Sequence, residues 1–322
     1  MYIAHCDQGG EWDSGSMHPF GDVSMSPAAG VLNYGQGIFE GMKAYRTIKD
    51  RVVLFRPEKN ATRAVSSAKR VCIPPVPEKK FLDAVVRVVQ DNIDYVPPRE
   101  KGSLYIRPVI WGTGPVLGVA PAPSYTFLIY VTPVGPYFKT GLRCLNLKIT
   151  NDFHRAALKG TGGDKVIGNY AASLYPQRLA KQAGFDEAIF LNAESEDYIE
   201  EIGSANLFAV KDGILRTPGL DGSILPGVTR DSVLTLAREM MNMEVREGNL
   251  SVKEFMSAEE VFISGTAVVV TPVGRITSDT STATIYNNQI GPVVKKLNEL
   301  LLGIQYELIE DRFKWVYPIE SK

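Results

Sequence analysis

Residues 160–170 read Gly-Thr-Gly-Gly-Asp-Lys-Val-Ile-Gly-Asn-Tyr, which sets Lys165 among Gly160, Gly162, Gly163 and Gly168. A strand-like run precedes this loop and a helix-like run follows it. Glycines collect where a backbone bends tightly or where a ligand comes close to it. A lysine in such a place is either a solvated loop charge or a chemical group, and the loop alone favours the solvated charge. The surrounding order of strand and helix candidates points to a mixed α/β (multi-domain α+β) architecture. At 322 residues two domains are expected, because single cores stop growing at about this size.

Composition removes several function classes. Apolar content of 44% and charged content of 22% are ordinary for a globular enzyme. A net charge of -1 gives no electrostatic case for nucleic acid or an anionic membrane. The longest apolar runs, such as 125–134, contain threonines, end at proline and fall short of a membrane span. Cys6, Cys72 and Cys144 are few, odd in number and far apart, which fits a reducing compartment. His5, His18 and His154 have no metal-ligand spacing. The N-terminus lacks the basic and apolar segments of a signal peptide, and a transit peptide already removed remains compatible with it. The expected compartment is therefore the cytoplasm, or an organelle after such removal.

Taken in order, residues 1–24 are polar and turn-rich and read as an irregular entry. The turn-rich segment 30–40 leads into strands at 42–46 and 51–55. Pro57 opens a helix whose stripe is Ala61, Ala64, Val65 and Ala68, with Arg63 beside it. A second helix runs from Pro77 to about Ile93. Residues 104–111 alternate as a strand that puts Tyr105 and Arg107 on one face, and 125–134 read as a buried strand. The Pro/Gly-rich stretch 133–141 is the best linker, so the expected domains are 1–132 and 142–322.

Beyond the linker a strand at 144–150 precedes the lysine loop. The helix expected at 169–184 closes at Gly184 and should be kinked or interrupted by Pro176. Strands follow at 187–191, 198–202, 207–211 and 214–216, with Asp212-Gly213 as a hairpin signal. Helices are expected from Val228 to about Met240 and from about Ile290 to Leu302, and strands at 261–264 and 268–271.

Several segments are ambiguous alone. The Gly112-x-Gly114 and Gly35-x-Gly37 pairs have the wrong third spacing for a dinucleotide fingerprint, and the lysine loop lacks the order of a Walker A motif. Leu-Pro-Gly-Val-Thr-Arg at 225–230 offers a helix start able to bind phosphate, or an ordinary helix start. Ser-Gly-Thr-Ala at 264–267 offers N–H groups and a hydroxyl, or a simple strand break. Glu200 and Glu201 adjoin in a strand and face opposite ways, so one belongs to a site and the other to water, or both are solvated; spacing does not choose. Tyr34, Phe39, Tyr105, Tyr137 and Tyr170 are either core aromatics or an apolar box edged with hydroxyls.

In their order, these segments resemble one family along nearly the whole chain. The pieces are Ala-Gly-Val-Leu-Asn-Tyr-Gly-Gln-Gly-Ile-Phe-Glu-Gly-Met-Lys-Ala-Tyr (29–45), Leu-Phe-Arg-Pro (54–57), Gly-Ser-Leu-Tyr-Ile-Arg-Pro (102–108), Pro-Val-Gly-Pro-Tyr-Phe (133–138), the lysine loop, Glu-Ile-Gly-Ser-Ala-Asn-Leu-Phe (201–208), Gly-Ser-Ile-Leu-Pro-Gly-Val-Thr-Arg (222–230) and Ser-Gly-Thr-Ala. Together they resemble the branched-chain-amino-acid aminotransferases, fold type IV enzymes dependent on pyridoxal 5′-phosphate, and most of all the plant-type and related bacterial members.

The resemblance implies a homodimer of chains with a small N-terminal α/β domain, a larger β-rich pseudo-barrel domain and the cofactor between them. It implies Lys165 as Schiff-base lysine and base, Arg63 with Val228, Thr229 and Thr266 at the cofactor phosphate, Tyr170 at the ring oxygen and Glu201 at the pyridine nitrogen. It implies Tyr34, Phe39, Tyr105 and Tyr137 around the substrate side chain, and Arg107 with the backbone around Thr266 and Ala267 at substrate carboxylates. Ser204, where many relatives have threonine, belongs to the same substrate region. The expected substrates are leucine, isoleucine and valine with 2-oxoglutarate, and no metal, nucleic acid or membrane.

Two departures stand out. Val268 and Thr271 occupy the region where mammalian members carry a redox Cys-x-x-Cys, so that switch is not expected. Pro176 sits in the helix after Tyr170. The rival readings are a D-amino-acid aminotransferase, an aminodeoxychorismate lyase, a methionine or 2-oxo-acid specialist, and a non-catalytic protein that keeps the fold for binding.

Overall fold

The computed structural model describes residues 1–135 and 141–320. The chain forms two compact units. The first comprises Met1–Pro136, Asp164–Gly168 and Ile304–Lys322; the second comprises Tyr137–Gly163 and Asn169–Gly303. The linker at 133–141 assigns everything beyond it to one domain. Two segments depart from that, because their backbone bonds are made elsewhere. The C-terminal strand Val316–Ile319 pairs antiparallel with Val52–Phe55, and Val166 bridges to Ile38. A strand's donors and acceptors must be satisfied by some neighbour, and the sequence does not say which.

Among the described residues the first unit holds an eight-stranded sheet. Its strands are β1 (Tyr2–Asp7), β2 (Ser16–Met17), β3 (Gly37–Phe39), β4 (Met42–Arg46), β5 (Val52–Phe55), β6 (Ser103–Gly112), β7 (Ser124–Val134) and the C-terminal strand. The path runs from that last strand through β5, β4, β6, β7 and β1 to β2, with β3 also on β6, and every pairing is antiparallel. β1 corrects the expected irregular entry. Its alternation buries Tyr2, Ala4 and Cys6, and all six residues pair with β7. A strand whose outward positions include His5 and Asp7 reads as loop from composition, and the neighbour makes it a strand.

Among the described residues, three α-helices belong to this unit: α1 (Gly30–Tyr34), α2 (Pro57–Arg70) and α3 (Glu78–Asp91). α1 and β3 lie inside the stretch expected to be turns. α2 begins with Pro at its first position, where the missing N–H costs nothing, and ends with Lys69 and Arg70 at the negative end of its dipole. In α3 the positions Phe81, Val85, Val88 and Val89 recur at helical spacing and are fully buried in one cluster with Leu104, Ile106 and Phe127 of the sheet.

The second unit is built on β8 (Leu145–Thr150), α4 (Ile167–Gln182), β9 (Glu187–Leu191), β10 (Ile199–Ile202), β11 (Asn206–Lys211), β12 (Ile214–Thr217), α5 (Val228–Met241), β13 (Glu244–Glu247), α6 (Val252–Met256), β14 (Glu260–Gly265), β15 (Val269–Thr277), β16 (Thr282–Thr284) and α7 (Pro292–Gln305). The order β10-β9-β8-β15-β14-β11 closes on itself because β10 also pairs β11. Six strands therefore form a barrel-like ring, with β12, β13 and β16 as appendages. Leu147, Ile149, Ile189, Leu207, Ile263 and Ile276 belong to its buried cluster. The Asp212-Gly213 hairpin forms as expected, with both residues at positive φ (52° and 74°) as a type I′ turn requires.

Pro176 does not interrupt α4, which is helical from Ile167 to Gln182. One proline removes one backbone donor, and buried Asn169, Ser173 and Ala180 on either side hold the helix in register.

α7 shows how a single side chain sets an element. Val293 N and Val294 N, unpaired donors of its first turn, donate to Glu260 Oε1 (3.1 Å) and Oε2 (2.9 Å). Glycine at 291 leaves the room, since a Cβ there would overlap the Glu260 carboxylate. Glu260→Ala should therefore destabilise the protein by about 1–3 kcal/mol, read as a lower urea midpoint at unchanged slope.

Candidate functional site

In the first unit the side chains gather around Lys165. Its loop segment is stitched to this unit through the backbone: Phe39 N donates to Lys165 O (3.1 Å), and Lys165 N donates to Ser67 Oγ of α2 (2.9 Å). Lys165 Nζ lies 4.6 Å from the centre of the Phe39 ring, and the Arg107 guanidinium carbon lies 4.6 Å from the same ring. Arg107 Nη2 donates to Tyr105 Oη (3.0 Å), as their shared face on β6 predicted. Gly41 lets the phenol approach, because a Cβ there would overlap Tyr105 Oη.

Beside them Arg63 is buried in α2 and makes a two-point pair with Glu40, Nε to Oε1 and Nη2 to Oε2, both 2.8 Å. Asn60 Nδ2 also donates to Glu40 Oε2 (2.8 Å). Burial pushes the Glu40 carboxyl up; the Arg63 charge and hydrogen bond, the Lys165 charge and the Asn60 bond outweigh it, and the result lies below the ordinary carboxylate range. Arg63 thus reaches this place already oriented by a carboxylate, a pairing that no spacing in the chain announces.

The second unit carries the other group of expected residues. Glu201 on β10 is buried, pairs with Arg155, and accepts from Asn206 Nδ2 (3.0 Å) and Leu225 N (3.2 Å). Arg155 Nη2 also donates to Gly162 O (3.0 Å) and Ser223 O (2.7 Å). Asn206 Nδ2 further reaches Leu225 O (3.0 Å), and a Cβ on Gly227 would overlap Asn206 Oδ1. The Glu201 carboxylate and the start of α5 are therefore fixed to one frame. That helix starts at Val228 and Thr229 with Gly227 as N-cap and no capping side chain. Thr266 and Ala267 lie in the turn between β14 and β15, and Ser264 Oγ at its edge is buried without a protein partner. Tyr170 is in the first turns of α4, and its carbonyl accepts from Ser173 Oγ (2.9 Å).

Other expected residues are held differently. Tyr34 is in α1, half-exposed, with its hydroxyl donated to Leu117 O. Ser204 is exposed in the turn between β10 and β11. Tyr137 lies outside the described residues. Glu200 is not solvated: both glutamates are buried, at 2% and 3% exposure, because both faces of β10 are covered.

Glu40, Asn60, Ser67, Arg155 and Asn206 escaped the sequence reading. Asn206 had a usable signal, since strands at 198–202 and 207–211 joined by a short turn place it across from Glu201. Arg155 sits in irregular chain with no period to read.

Comparison with known proteins gives a consistent set of likenesses. The family model for amino-transferase class IV matches residues 37–276. The chain is 49% identical over 317 residues to branched-chain-amino-acid aminotransferase 3, chloroplastic, of Arabidopsis thaliana, covering 98% of this chain and 76% of that protein. The crystal structure of the Escherichia coli branched-chain amino acid aminotransferase superposes with a TM-score of 0.85 at 30% identity, covering 99% of each chain. The branched-chain aminotransferase from the thermophilic archaeon Thermoproteus uzoniensis, solved with norvaline, superposes at a TM-score of 0.82 and 27% identity, again covering 99% of each chain.

The Glu40–Arg63 pair makes its own prediction. Glu40→Leu leaves a buried guanidinium without its carboxylate and should cost about 3–5 kcal/mol of unfolding free energy. Adding Arg63→Met should restore part of that loss, so a urea-unfolding double-mutant cycle should give a large favourable coupling between the two positions.

Proposed function

The chain belongs to the class IV aminotransferases, and from that premise we propose that it moves the amino group of leucine, isoleucine or valine to 2-oxoglutarate, giving a branched 2-oxo acid and L-glutamate. One observation carries the reading. A buried, arginine-paired carboxylate and a helix start without a capping side chain are fixed to the same frame through Asn206. The first suits a protonated ring nitrogen and the second a phosphate, and the unpartnered Ser264 Oγ adds a hydroxyl in the turn before Thr266. These residues fit pyridoxal 5′-phosphate.

The chemistry supplied by that cofactor, when bound, is electron withdrawal through its ring, which lowers the cost of removing a proton from the α-carbon of an attached amino acid. The remaining work falls to the chain. In this reading Lys165 would anchor the cofactor covalently until the amino group of the substrate displaces it; the freed Nζ would then take the α-proton and deliver it to the cofactor's aldehyde carbon, and the 2-oxo acid would be served by the same steps in reverse. Glu201, held as a carboxylate by Arg155, keeps the ring nitrogen protonated. Arg63, oriented by Glu40, acts on the phosphate with the N–H groups of Val228 and Thr229 and the Thr266 hydroxyl, and Tyr170 acts at the ring oxygen. Phe39, Tyr105 and Tyr34 would line the aliphatic side chain, a role the family resemblance also gives to Tyr137. Arg107, Ser204 and Ala267 serve the carboxylates, including the second one that 2-oxoglutarate brings. The Phe39 ring, with the Arg107 and Lys165 cations each 4.6 Å from its centre, supports this division, being apolar yet electrostatically matched to both.

We propose that the protein works as a homodimer, the usual closed assembly. Leu32, Leu117 and Val119 support it: they are 62%, 91% and 90% exposed, and Leu117 is bonded to Tyr34. Light scattering should report twice the chain mass of 35.4 kDa. A particle with the mass of one chain would remove this part of the reading. Among the described residues no helix is long and apolar enough to cross a membrane. The cytosol or the interior of a plastid or mitochondrion is the proposed compartment, the latter two matching the printed names of several relatives.

The activity is tested on the purified protein with pyridoxal 5′-phosphate. A visible band should appear, bleach on adding L-leucine and return with 4-methyl-2-oxopentanoate. Lys165→Ala should keep its fold by circular dichroism and lose turnover. A band that answers only D-alanine would assign the chain to D-amino acids instead, and turnover surviving in Lys165→Ala would remove the lysine from the chemistry.

A further inference from the structure

The Glu200 carboxyl has no role in the reading above, yet it is 2% exposed and one residue from Glu201. Its surroundings contain a proton-counting problem. Ser223 Oγ lies 2.7 Å from Glu200 Oε1 and 2.7 Å from Asp221 Oδ1. A serine hydroxyl has one proton and can donate to only one of them. Two oxygens with no proton between them do not sit at hydrogen-bond distance, so one of the two carboxyls must supply a second proton.

Asp221 is the poorer holder of that proton. It is exposed to water, and its Oδ1 already accepts the Ser223 backbone N–H (2.9 Å). Glu200 is the better one. Its Oε2 is buried with no partner at all, a place that suits a neutral carbonyl oxygen and penalises a charged one. Burial first, then the Asp221 charge, push this carboxyl above its ordinary range against the Ser223 bond, Arg155 and His154. The chain of donors is then Glu200 O–H to Ser223 Oγ, and Ser223 O–H to Asp221 Oδ1, while Asn192 Nδ2 donates to Glu200 Oε1 (3.2 Å).

We propose that Glu200 is a positioning residue that works as a neutral acid, leaving Glu201 the one buried anion for Arg155. Ser223 makes the connection: its hydroxyl bonds Glu200, and its carbonyl accepts from Arg155 Nη2 at 2.7 Å. With Glu200 protonated, the buried groups of the cluster are one guanidinium and one carboxylate, which balance, with the Asp221 charge at the exposed end. With Glu200 ionised, two buried carboxylates divide one cation, and Glu201 loses part of the partner that keeps it a carboxylate. This rests on the reading of Glu201 as the carboxylate that serves the ring nitrogen. The charged and titratable groups facing Glu200 are Asp221, beside Ser223 in the loop before α5, Arg155 and His154 in the segment after β8, and its neighbour Glu201.

The proton itself is read by infrared difference spectroscopy of the holoenzyme at neutral pH. Parent minus Glu200→Gln should contain one carboxylic-acid C=O band, and Asp221→Ala, which returns the Ser223 proton to Glu200, should make that band titrate at lower pH. Carboxylate bands alone, or a band indifferent to Asp221→Ala, would overturn the proposal. The positioning role is read from the cofactor's visible absorption against pH. The parent should change on the alkaline side as Glu200 ionises, and Glu200→Gln should lack that change; parallel curves would overturn the role. A carboxyl raised on folding keeps a proton that the unfolded chain loses near 4.5, so the parent should also lose stability relative to Glu200→Gln as pH rises from there through the folded-state ionisation. The infrared result does not depend on turnover. A C=O band in a protein that fails to transaminate leucine would therefore defeat the proposed function and leave the proton on Glu200.

Discussion

A carboxylate removed from water must find a cation and donors or take up a proton. Much of the second unit's irregular chain is arranged by that demand at Glu201. The carboxylate sits on a strand covered on both faces, so it draws Arg155 from the segment after β8, Asn206 from the facing strand and the Leu225 N–H from the loop before α5. The facing strand is also held by Leu207 and Ala209 in the core, but the segment after β8 and the loop before α5 belong to no helix or strand. They are placed by polar bonds to one anion, and the start of α5 is placed with them through the second Asn206 bond to Leu225 O. In the proposed function, the places assigned to a protonated ring and a phosphate thus follow from satisfying one buried charge.

The first unit meets the same demand in a different way. There the buried anion is Glu40, and its cation comes from a helix whose position is already set by the apolar stripe of Ala61, Ala64 and Ala68. The guanidinium is thus delivered by packing and aimed by the ion pair. Lys165 is controlled from the other end. Its backbone is bonded on both sides, to Phe39 N and to Ser67 Oγ, which fixes where the long side chain begins. For the role proposed for Lys165, bonding and releasing a reacting group, a fixed root and a side chain with several rotatable bonds are what is needed, and this arrangement supplies both.

The regular part of this architecture was legible in the sequence. The strands at 42–46, 125–134 and 187–191, and the helices beginning at Pro57 and Val228, are read from period and punctuation, since their burial is local to their own pattern. β1 and the C-terminal strand were not, because their partners lie over a hundred residues away and supply the bonds that make them strands. At the site, the residue types with chemistry of their own, Lys165 and Glu201, stood out by motif. Arg155 and Glu40 did not: their importance is the charge they answer, and that is a relation between positions rather than a pattern. Alternation offered one solvated glutamate or two at 200 and 201 and did not choose; neither alternative holds, because both faces of β10 are covered.

The glycines of the lysine loop show what such relations do to a motif. They suggested a tight bend or the approach of a ligand; the chain does turn throughout 158–165, but Gly160, Gly162, Gly163 and Gly168 are all absent from the left-handed region. Gly162 and Gly163 are instead pressed against other backbone. A Cβ on Gly162 would overlap Ser223 O, the oxygen that accepts from Arg155, and Gly163 N donates to Gly222 O at 2.8 Å. The loop changes units between Gly163 and Asp164. Its first half is bonded to the surroundings of Glu201 and its second half to β3 and α2, where Lys165 is rooted. Any side chain at 162 would push on Ser223, and through it on the guanidinium that keeps Glu201 ionised. The glycine is required there by the electrostatics of a carboxylate 39 residues further along the chain, whether or not a ligand is bound.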